Sequence, residues 1–219
     1  MKIEQLLRTH DKIIPISPTE NIFLDNTYFK MRLKGTSTIM YLREGVWMQL
    51  QKASRSLPSP FAFILYDTYR SLETQMDLFQ YMYHYIKKHD PSLSEDQLLI
   101  KTRTFVADPY NLNIRHKLSH PTGAAIDLGL YNKDKKMIVD MGTPFDDPSE
   151  ASATEYYTNS TNLIEKNFHQ ARSLLYQTML NFEFTNYDKE WWHYDLGDYS
   201  WANKKQSSWY YSIIEKLNP

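Results

Sequence analysis

The sequence predicts a single α+β domain, with a mainly antiparallel central sheet and helices flanking it. Three observations support this fold class. The chain has 219 residues, 42% of them hydrophobic, which is enough to bury one core. Helix-like and strand-like patterns follow one another without the regular alternation of a parallel α/β fold. No repeat and no low-complexity linker divides the chain, so residues 1–219 are predicted to form one domain.

The N-terminal half predicts irregular structure followed by helices and one buried strand. Residues 1–40 mix short apolar runs with prolines and a glycine, which predicts short strands. Residues 44–56 place apolar residues near helical spacing and predict a helix. Residues 61–66 form a continuous, aromatic-rich apolar run that is typical of a buried strand. A helix is predicted from 71 to about 88, with acids early and bases late, and Ser94 marks another helix start.

The C-terminal half predicts the longest helix and most of the sheet. Residues 161–181 have the most regular helical spacing of apolar residues in the chain. Residues 106–123 and 142–160 are rich in turn-forming residues and predict loops. Four segments are predicted as strands: 124–130, 137–140, 182–187 and 191–196.

Composition excludes several classes of protein. There is no cysteine, so a disulfide scaffold and any cysteine-ligated zinc or iron–sulfur site are ruled out. Charge is balanced, with 25 basic against 26 acidic residues, so no basic excess favours nucleic acid. No stretch approaches the ~18 apolar residues that a membrane helix needs. No signal-peptide pattern is seen, so a cytoplasmic location is expected; a trimmed mature chain could instead be periplasmic. The oligomeric state is not indicated.

Two of the seven histidines stand out because of their neighbours. His120 precedes a predicted strand that contains Asp127, and an aspartate in such a strand is costly to bury unpaired. A metal or another cation would explain it, and so would a position on the solvent face of an edge strand. His193 follows Glu190 and two tryptophans, which can exclude water. The alternative here is a core tryptophan pair with incidental polar flanks.

These residue types complement one another chemically. Two imidazoles and one carboxylate are the usual three protein ligands of a catalytic zinc, with the fourth position open to water. A further carboxylate near that water can act as a general base, and Glu190 is the natural candidate. Residues three apart point to opposite faces of a regular strand, so the chain should bend between Glu190 and His193.

The motifs around these residues resemble a known family. The segment from Ser119 to Asp127 reads S-H-x-x-G-x-A-x-D, and E-x-W-H follows at 190–193. Three flanking segments, 67–70 (DTYR), 105–109 (FVADP) and 141–146 (MGTPFD), extend the similarity. Together they resemble the zinc D-Ala-D-Ala dipeptidases of the M15 peptidases, the VanX-like group, over roughly residues 20–196.

The resemblance implies one zinc ion per chain and a set of residue roles. The implied zinc ligands are His120, Asp127 and His193. The other implied roles are Glu190 as catalytic base, Arg70 as the cation beside the scissile carbonyl, and Ser119 and Asp146 around the amino end of the substrate. The pair Pro121-Thr122 departs from the family pattern. Residues 197–219 have no identified counterpart and are predicted to form a C-terminal extension packed on the domain.

The function implied is zinc-dependent hydrolysis of a small dipeptide, D-alanyl-D-alanine, by an activated water and a glutamate base. Three alternatives remain at this point. The first is a D,D-carboxypeptidase that acts on longer peptidoglycan stem peptides. The second is a catalytically silent zinc-binding protein of the same fold. The third is a protein without zinc, in which both histidines are ordinary. Antibiotic resistance, wall recycling and D-alanine scavenging would all share the dipeptidase reaction.

Overall fold

The computed structural model describes residues 2–217, so Met1 and the last two residues of the predicted domain lie outside it. The described helices are α1 (Ile3–Thr9), α2 (Thr27–Lys30), α3 (Glu44–Ser56), α4 (Leu72–His89), α5 (Glu95–Phe105), α6 (Leu163–Asn181) and α7 (Tyr199–Lys205). The described strands are β1 (Ile13–Pro15), β2 (Ile22–Leu24), β3 (Tyr41–Arg43), β4 (Phe61–Asp67), β5 (Ala125–Asn132), β6 (Met137–Ile138), β7 (Thr185–Asn186) and β8 (His193–Asp195). The α+β class is therefore confirmed.

The central sheet is mixed, so the prediction of a mainly antiparallel sheet was wrong. Its strand order is β2-β4-β5-β8-β7, and β6 pairs with the far end of β5. The pair β2–β4 is parallel, whereas the other neighbours are antiparallel. The chain leaves β2, passes through α2, β3 and α3, and only then enters β4. A connection of this length can return to the starting edge, as a parallel pair requires.

The main core lies between the sheet and two helices. Leu50 of α3 and Leu175 of α6 are buried with Phe63 of β4 and Leu128 of β5 in one hydrophobic cluster. Burying side chains of this size stabilises a fold by about 1.5–3 kcal/mol each. A second cluster joins α4 and α5 through residues such as Phe79. The helices thus hold a rigid sheet whose β4, β5 and β8 carry polar residues at one end.

A serine cap begins each of the two helices α4 and α5. The Ser71 hydroxyl accepts the Thr74 N–H at 3.1 Å, and Ser94 forms a reciprocal capping box with Gln97. Such caps are worth about 1 kcal/mol each. The cap at Ser71 fixes where α4 begins, directly after Arg70.

The C-terminal segment packs back on the rest of the chain. The Tyr211 ring is buried in the main core, and its hydroxyl donates to the Leu7 carbonyl at 3.0 Å. The Ile214 N–H donates to the Pro121 carbonyl at 2.8 Å. The segment therefore contacts the turn that carries His120. Among the described residues, no helix has the length and apolar character needed to cross a membrane.

Candidate metal centre and active site

Three neighbouring strands bring acidic and basic side chains together at one end of the sheet. Asp127 of β5 is paired with His193 of β8 on one side and with Asp67 of β4 on the other. An irregularity in β4 between Leu65 and Asp67 sets the second pairing. Asp127 is buried in a central strand, which excludes the alternative of an aspartate on the solvent face of an edge strand.

A short 3-10 turn, His120–Thr122, places His120 beside this group. The turn ends at Gly123, whose φ of +72° is a left-handed conformation that favours glycine. The next residues enter β5, so His120 and Asp127 come from one continuous segment. The Arg70 N–H also donates to the His120 carbonyl at 3.3 Å, which ties this turn to the end of β4.

The ligand atoms of His120, Asp127 and His193 all lie within 4.8 Å of one another, so the three residues could hold a metal ion. Asp127 Oδ2 lies 3.2 Å from His120 Nε2, and Asp127 Oδ1 lies 3.0 Å from His193 Nδ1. The two ring nitrogens are 3.3 Å apart. All three side chains are buried. This is the nitrogen and oxygen donor set of an open catalytic site.

The outer contacts of both imidazoles leave the inner nitrogens available as ligands. His120 Nδ1 donates to the Thr68 carbonyl at 2.7 Å, which leaves a lone pair on Nε2 when the ring is neutral. His193 Nε2 lies 3.0 Å from Asp195 Oδ1, which places the proton on that nitrogen and leaves Nδ1 facing Asp127. Outer partners of this kind orient metal-binding histidines. The donor set therefore fits a zinc ion.

The charges of this cluster favour a cation at its centre. Burial alone would raise the pKa of Asp127, but the His120 and His193 rings outweigh it and hold that pKa well below the usual range. Burial would lower the pKa of His193, but the carboxylates of Asp195 and Asp127 raise it well above the usual value. Positive charge is thus stabilised where the ligand atoms meet, as a metal site requires.

Glu190 lies outside the strands, and a turn separates it from His193. The His193 N–H donates to the Glu190 carbonyl at 3.3 Å, so the bend expected from the sequence is present. The side chain of Glu190 is half-buried, and burial raises its pKa to about 7. A carboxyl with a pKa near neutrality can accept and return a proton at neutral pH.

Arg70 is buried and held by side chains on every side. Its Nε donates to Asp67 Oδ2 at 2.8 Å, and its Nη1 donates to Gln75 Oε1 at 3.0 Å. Its Nη2 lies 3.4 Å from both the Tyr28 hydroxyl and Asp127 Oδ2. The guanidinium also lies over the Tyr28 ring, 4.7 Å from its centroid. Arg70 is therefore a buried, fixed positive charge next to the Asp127 carboxylate.

Asp146 and Ser119 approach the same region from two loops. Asp146 has φ +65°, an uncommon conformation for a residue with a side chain. Burial raises its pKa to about 7, against the opposing effect of Arg70. The Ser119 hydroxyl lies 3.4 Å from His193 Nε2.

A cavity of about 360 Å³ connects these groups. All the residues singled out in the sequence line it: Arg70, Ser119, His120, Asp127, Asp146, Glu190 and His193. Both tryptophans are buried in the main core. Trp192 also forms part of the cavity wall, and Trp191 donates its indole N–H to the Thr143 hydroxyl at 2.9 Å. The tryptophan pair is thus part of the core, and one of its two rings also lines the site.

Several contributing residues were not found from the sequence. Asp195 lies two residues after His193 on β8, so it shares a strand face with it, and this spacing could have revealed it. Gln75, in the first turn of α4, follows Arg70 by only five residues in the chain, and this short separation could have suggested it. Tyr28 and Asn186 gave no signal, because only the folded chain brings them to the site.

Comparison with known proteins places this geometry in context. A family model described as Peptidase_M15, D-ala-D-ala dipeptidase, matches residues 23–210. The match includes residues 197–210, for which the sequence motifs offered no counterpart. A D-alanyl-D-alanine dipeptidase of Enterococcus faecium is 40% identical over 90 residues, covering 41% of this chain and 42% of that relative. One from Synechocystis sp. is 30% identical over 179 residues, covering 74% of this chain and 71% of the relative. The chain thus spans less than half of the first relative and about 70% of the second.

One solved structure is also similar at low identity. It is a variant of the vancomycin-resistance D,D-pentapeptidase VanY in complex with Zn(II). The match covers 78% of this chain and 82% of that chain at 18% identity, with a TM-score of 0.46. A likeness at this level adds nothing to the assignment of individual residues.

Proposed function

The chain belongs to the Peptidase_M15 family of D-Ala-D-Ala dipeptidases, and on this premise we propose that it hydrolyses D-alanyl-D-alanine with one zinc ion held by His120, Asp127 and His193. One observation carries the proposal. Two imidazole lone pairs and a carboxylate converge within 4.8 Å, in a cavity that Glu190 also lines. These are the parts that metal-assisted hydrolysis needs.

The proposed chemistry divides between the zinc ion and the residues of this chain. Bound zinc would polarise the scissile carbonyl and make a water molecule acidic enough to attack it at neutral pH. Glu190 takes a proton from the attacking water and delivers it to the leaving amine as the C–N bond breaks. One water is consumed, and two D-alanine molecules are released. The pKa of about 7 suits Glu190 to both proton transfers.

Arg70 stabilises the negative charge that develops on the carbonyl oxygen. Its position is fixed before substrate arrives, because Asp67, Gln75 and Tyr28 hold it. A charge that needs no rearrangement during the reaction is an effective stabiliser of a transition state. Burial works against the charge of Arg70, but its neighbours raise its pKa above the usual value, so it stays protonated throughout.

Asp146 and Ser119 recognise the amino end of the substrate. A free ammonium would find in Asp146 a carboxylate that is already half-buried. Pairing with a cation would offset the cost that now raises the pKa of Asp146. Ser119 can donate or accept a hydrogen bond nearby.

An adjoining cavity supports a second candidate, a D,D-carboxypeptidase. This cavity of about 420 Å³ shares Asp146, Glu190 and Trp192 with the first one. If Asp146 marks the amino end of the substrate, the adjoining space could receive a longer peptide on that side.

The test combines metal content with the release of D-alanine. We expect about one zinc per chain and turnover of D-Ala-D-Ala by the purified protein. Glu190→Ala should keep its zinc and fold but lose about 10²–10⁴-fold in turnover, because it removes the proton acceptor. Glu73→Ala, at an exposed glutamate in α4, serves as the matched control and should keep full turnover. Full turnover by zinc-loaded Glu190→Ala would contradict the role of Glu190.

N-acetyl-D-Ala-D-Ala separates the two candidate activities. A dipeptidase should lose roughly 10²-fold or more in rate on this compound, because acetylation removes the ammonium that pairs with Asp146. Equal or faster release of D-alanine from the acetylated compound would instead favour the carboxypeptidase. A protein that binds no zinc and cleaves neither compound would contradict both.

A further inference from the structure

The side chain of Asn186 links Glu190 and His193, the residues at the two ends of the turn in the candidate active site. Its Nδ2 donates to the Glu190 carbonyl at 2.9 Å and to the His193 carbonyl at 2.9 Å. Its Oδ1 accepts the Thr154 hydroxyl at 2.7 Å. Asn186 is 4% exposed, so water does not replace these contacts. One amide therefore satisfies two carbonyls and is itself held in a single orientation.

Backbone bonds also hold the turn between Glu190 and His193: the Tyr187 N–H donates to the His193 carbonyl at 3.1 Å, and the Glu190 N–H donates to the Tyr187 carbonyl at 2.9 Å. Asn186 is the side chain that bonds to the carbonyls at both ends of the turn. The backbone bond that closes it, from the His193 N–H to the Glu190 carbonyl, is long at 3.3 Å. Trp191 is held by a bond from its N–H to the Ser152 carbonyl, at the middle of the turn. The two Asn186 bonds act at its ends, where the proposed base and the proposed ligand are attached.

We infer that Asn186 is a positioning residue for the reaction proposed above: it sets the separation of Glu190 from the metal ligand His193. This inference rests on the proposed function. The chemistry of the residue fits the role, because only an amide offers two N–H donors to the carbonyls and an oxygen to Thr154. An aspartate of the same shape would present negative oxygens to both carbonyls. A small shift of a catalytic group can cost 10²-fold in rate, so bracing of this kind has a measurable effect.

The experiment compares Asn186→Ala with Gln49→Ala. Gln49 is a buried amide of α3 whose Nε2 donates to the Phe182 carbonyl at 3.1 Å, away from the cavity. Asn186→Ala loses two amide-to-carbonyl bonds and Gln49→Ala loses one, so both variants should lose stability to urea. Only Asn186→Ala should lower kcat for D-Ala-D-Ala, by about 10–100-fold with KM within threefold, and weaken zinc binding in chelator competition.

A gentler variant keeps the inference testable if Asn186→Ala does not fold. Thr154→Val removes the hydroxyl that orients the amide but leaves both of its donors in place. It should lower kcat by a smaller factor, with KM unchanged. If the folded variants at positions 186 and 154 match Gln49→Ala in kcat and zinc affinity, Asn186 has no positioning role. A wild-type protein without zinc or turnover would instead overturn the proposed function and this inference with it.

Discussion

Several ionisable side chains in the cavity have pKa values that differ from those they would have in water. Burial raises the pKa of both Asp146 and Glu190 to about 7, and the carboxylates of Asp67 and Asp127 offset the cost of burying the charge of Arg70. Groups arranged in this way lower the stability of the fold, since each is costly to charge without a partner. This cost is offset when a metal ion or a zwitterionic substrate supplies the opposite charge.

Asp146→Asn should therefore stabilise the protein at alkaline pH while it impairs catalysis. The pKa of Asp146 is about 7 in the fold, against 3.8 for the ordinary carboxyl. The contribution of Asp146 to the free energy of unfolding is therefore fully present below about pH 4 and is lost as the pH rises through 7. Asparagine also tolerates the left-handed conformation found here. After chelation, we expect the variant to exceed wild type by about 1–2 kcal/mol in unfolding free energy at pH 8, and to equal it at pH 4.

Urea unfolding at the two pH values measures this difference. Asp134→Asn, at an exposed aspartate in a turn, is the control and should give no gain at pH 8. A gain that is the same at pH 4 and pH 8 would show that conformation, and not the charge of Asp146, is responsible.

At the level of elements, the loop that carries Asp146 depends on a glycine. Gly142 has φ +87°, and a Cβ at this position would lie 2.5 Å from the Tyr157 ring and 2.6 Å from the Phe168 ring. Both rings are packed against each other, with centroids 5.4 Å apart, so neither can move freely. The loop can reach the cavity only because no side chain is present at Gly142.

Gly142→Ala should displace this loop and weaken substrate binding. We expect a loss of about 1–3 kcal/mol in stability and a rise in KM for D-Ala-D-Ala, with zinc content unchanged. Gly197→Ala is the comparison, because Gly197 also has a positive φ, of +90°, and a Cβ there would meet Tyr211 and Leu7, which lie away from the cavity. If both variants change KM equally, the effect is a general loss of stability and does not arise from the loop.

The elements predicted well from the sequence are those whose pattern is long. Helices α3, α4 and α6 have several turns of regular apolar spacing, and β4 and β5 are mostly apolar strands of seven and eight residues. Helix α1 and strand β2 are short, so tertiary contacts decide their conformation. The parallel pairing of β2 with β4 joins strands that are far apart in the chain, and no local pattern reports it.

The candidate site could be predicted from the sequence to the extent that it lies in contiguous motifs. The pairs His120–Asp127 and Glu190–His193 each come from one segment, so a sequence pattern can carry them. The contacts that orient these residues come from elsewhere. Asp195, at the end of β8, contacts the His193 ring, and Asn186, in β7, donates to the carbonyls of Glu190 and His193. Such partners are set by strand register, which a sequence without its sheet does not reveal.

For the molecule as a whole, the C-terminal segment contributes to the core that supports the site. We propose that residues 197–217 belong to the same domain as the rest of the chain. Tyr211→Ala should cost about 3–5 kcal/mol, because it removes a buried aromatic ring, whereas Tyr211→Phe should cost about 1 kcal/mol through the lost hydroxyl bond to Leu7.

Urea unfolding followed by tryptophan fluorescence checks this prediction. Trp209→Phe provides the control, because Trp209 is 49% exposed and should contribute less than about 0.5 kcal/mol. Similar small losses for Tyr211→Ala and the control would show that the segment is an appendage and not part of the core.

The pairing of Asp67, Asp127 and His193 across three adjacent strands has a consequence for how the chain finds its native sheet. A slip of one residue in either pairing would turn alternate side chains to the opposite face and scatter the ligand atoms. A zinc ion that binds only the aligned arrangement would then select it over every shifted one, with a free-energy bias equal to its binding energy. The ion would thus favour the correct alignment of the strands during folding, before any substrate binds.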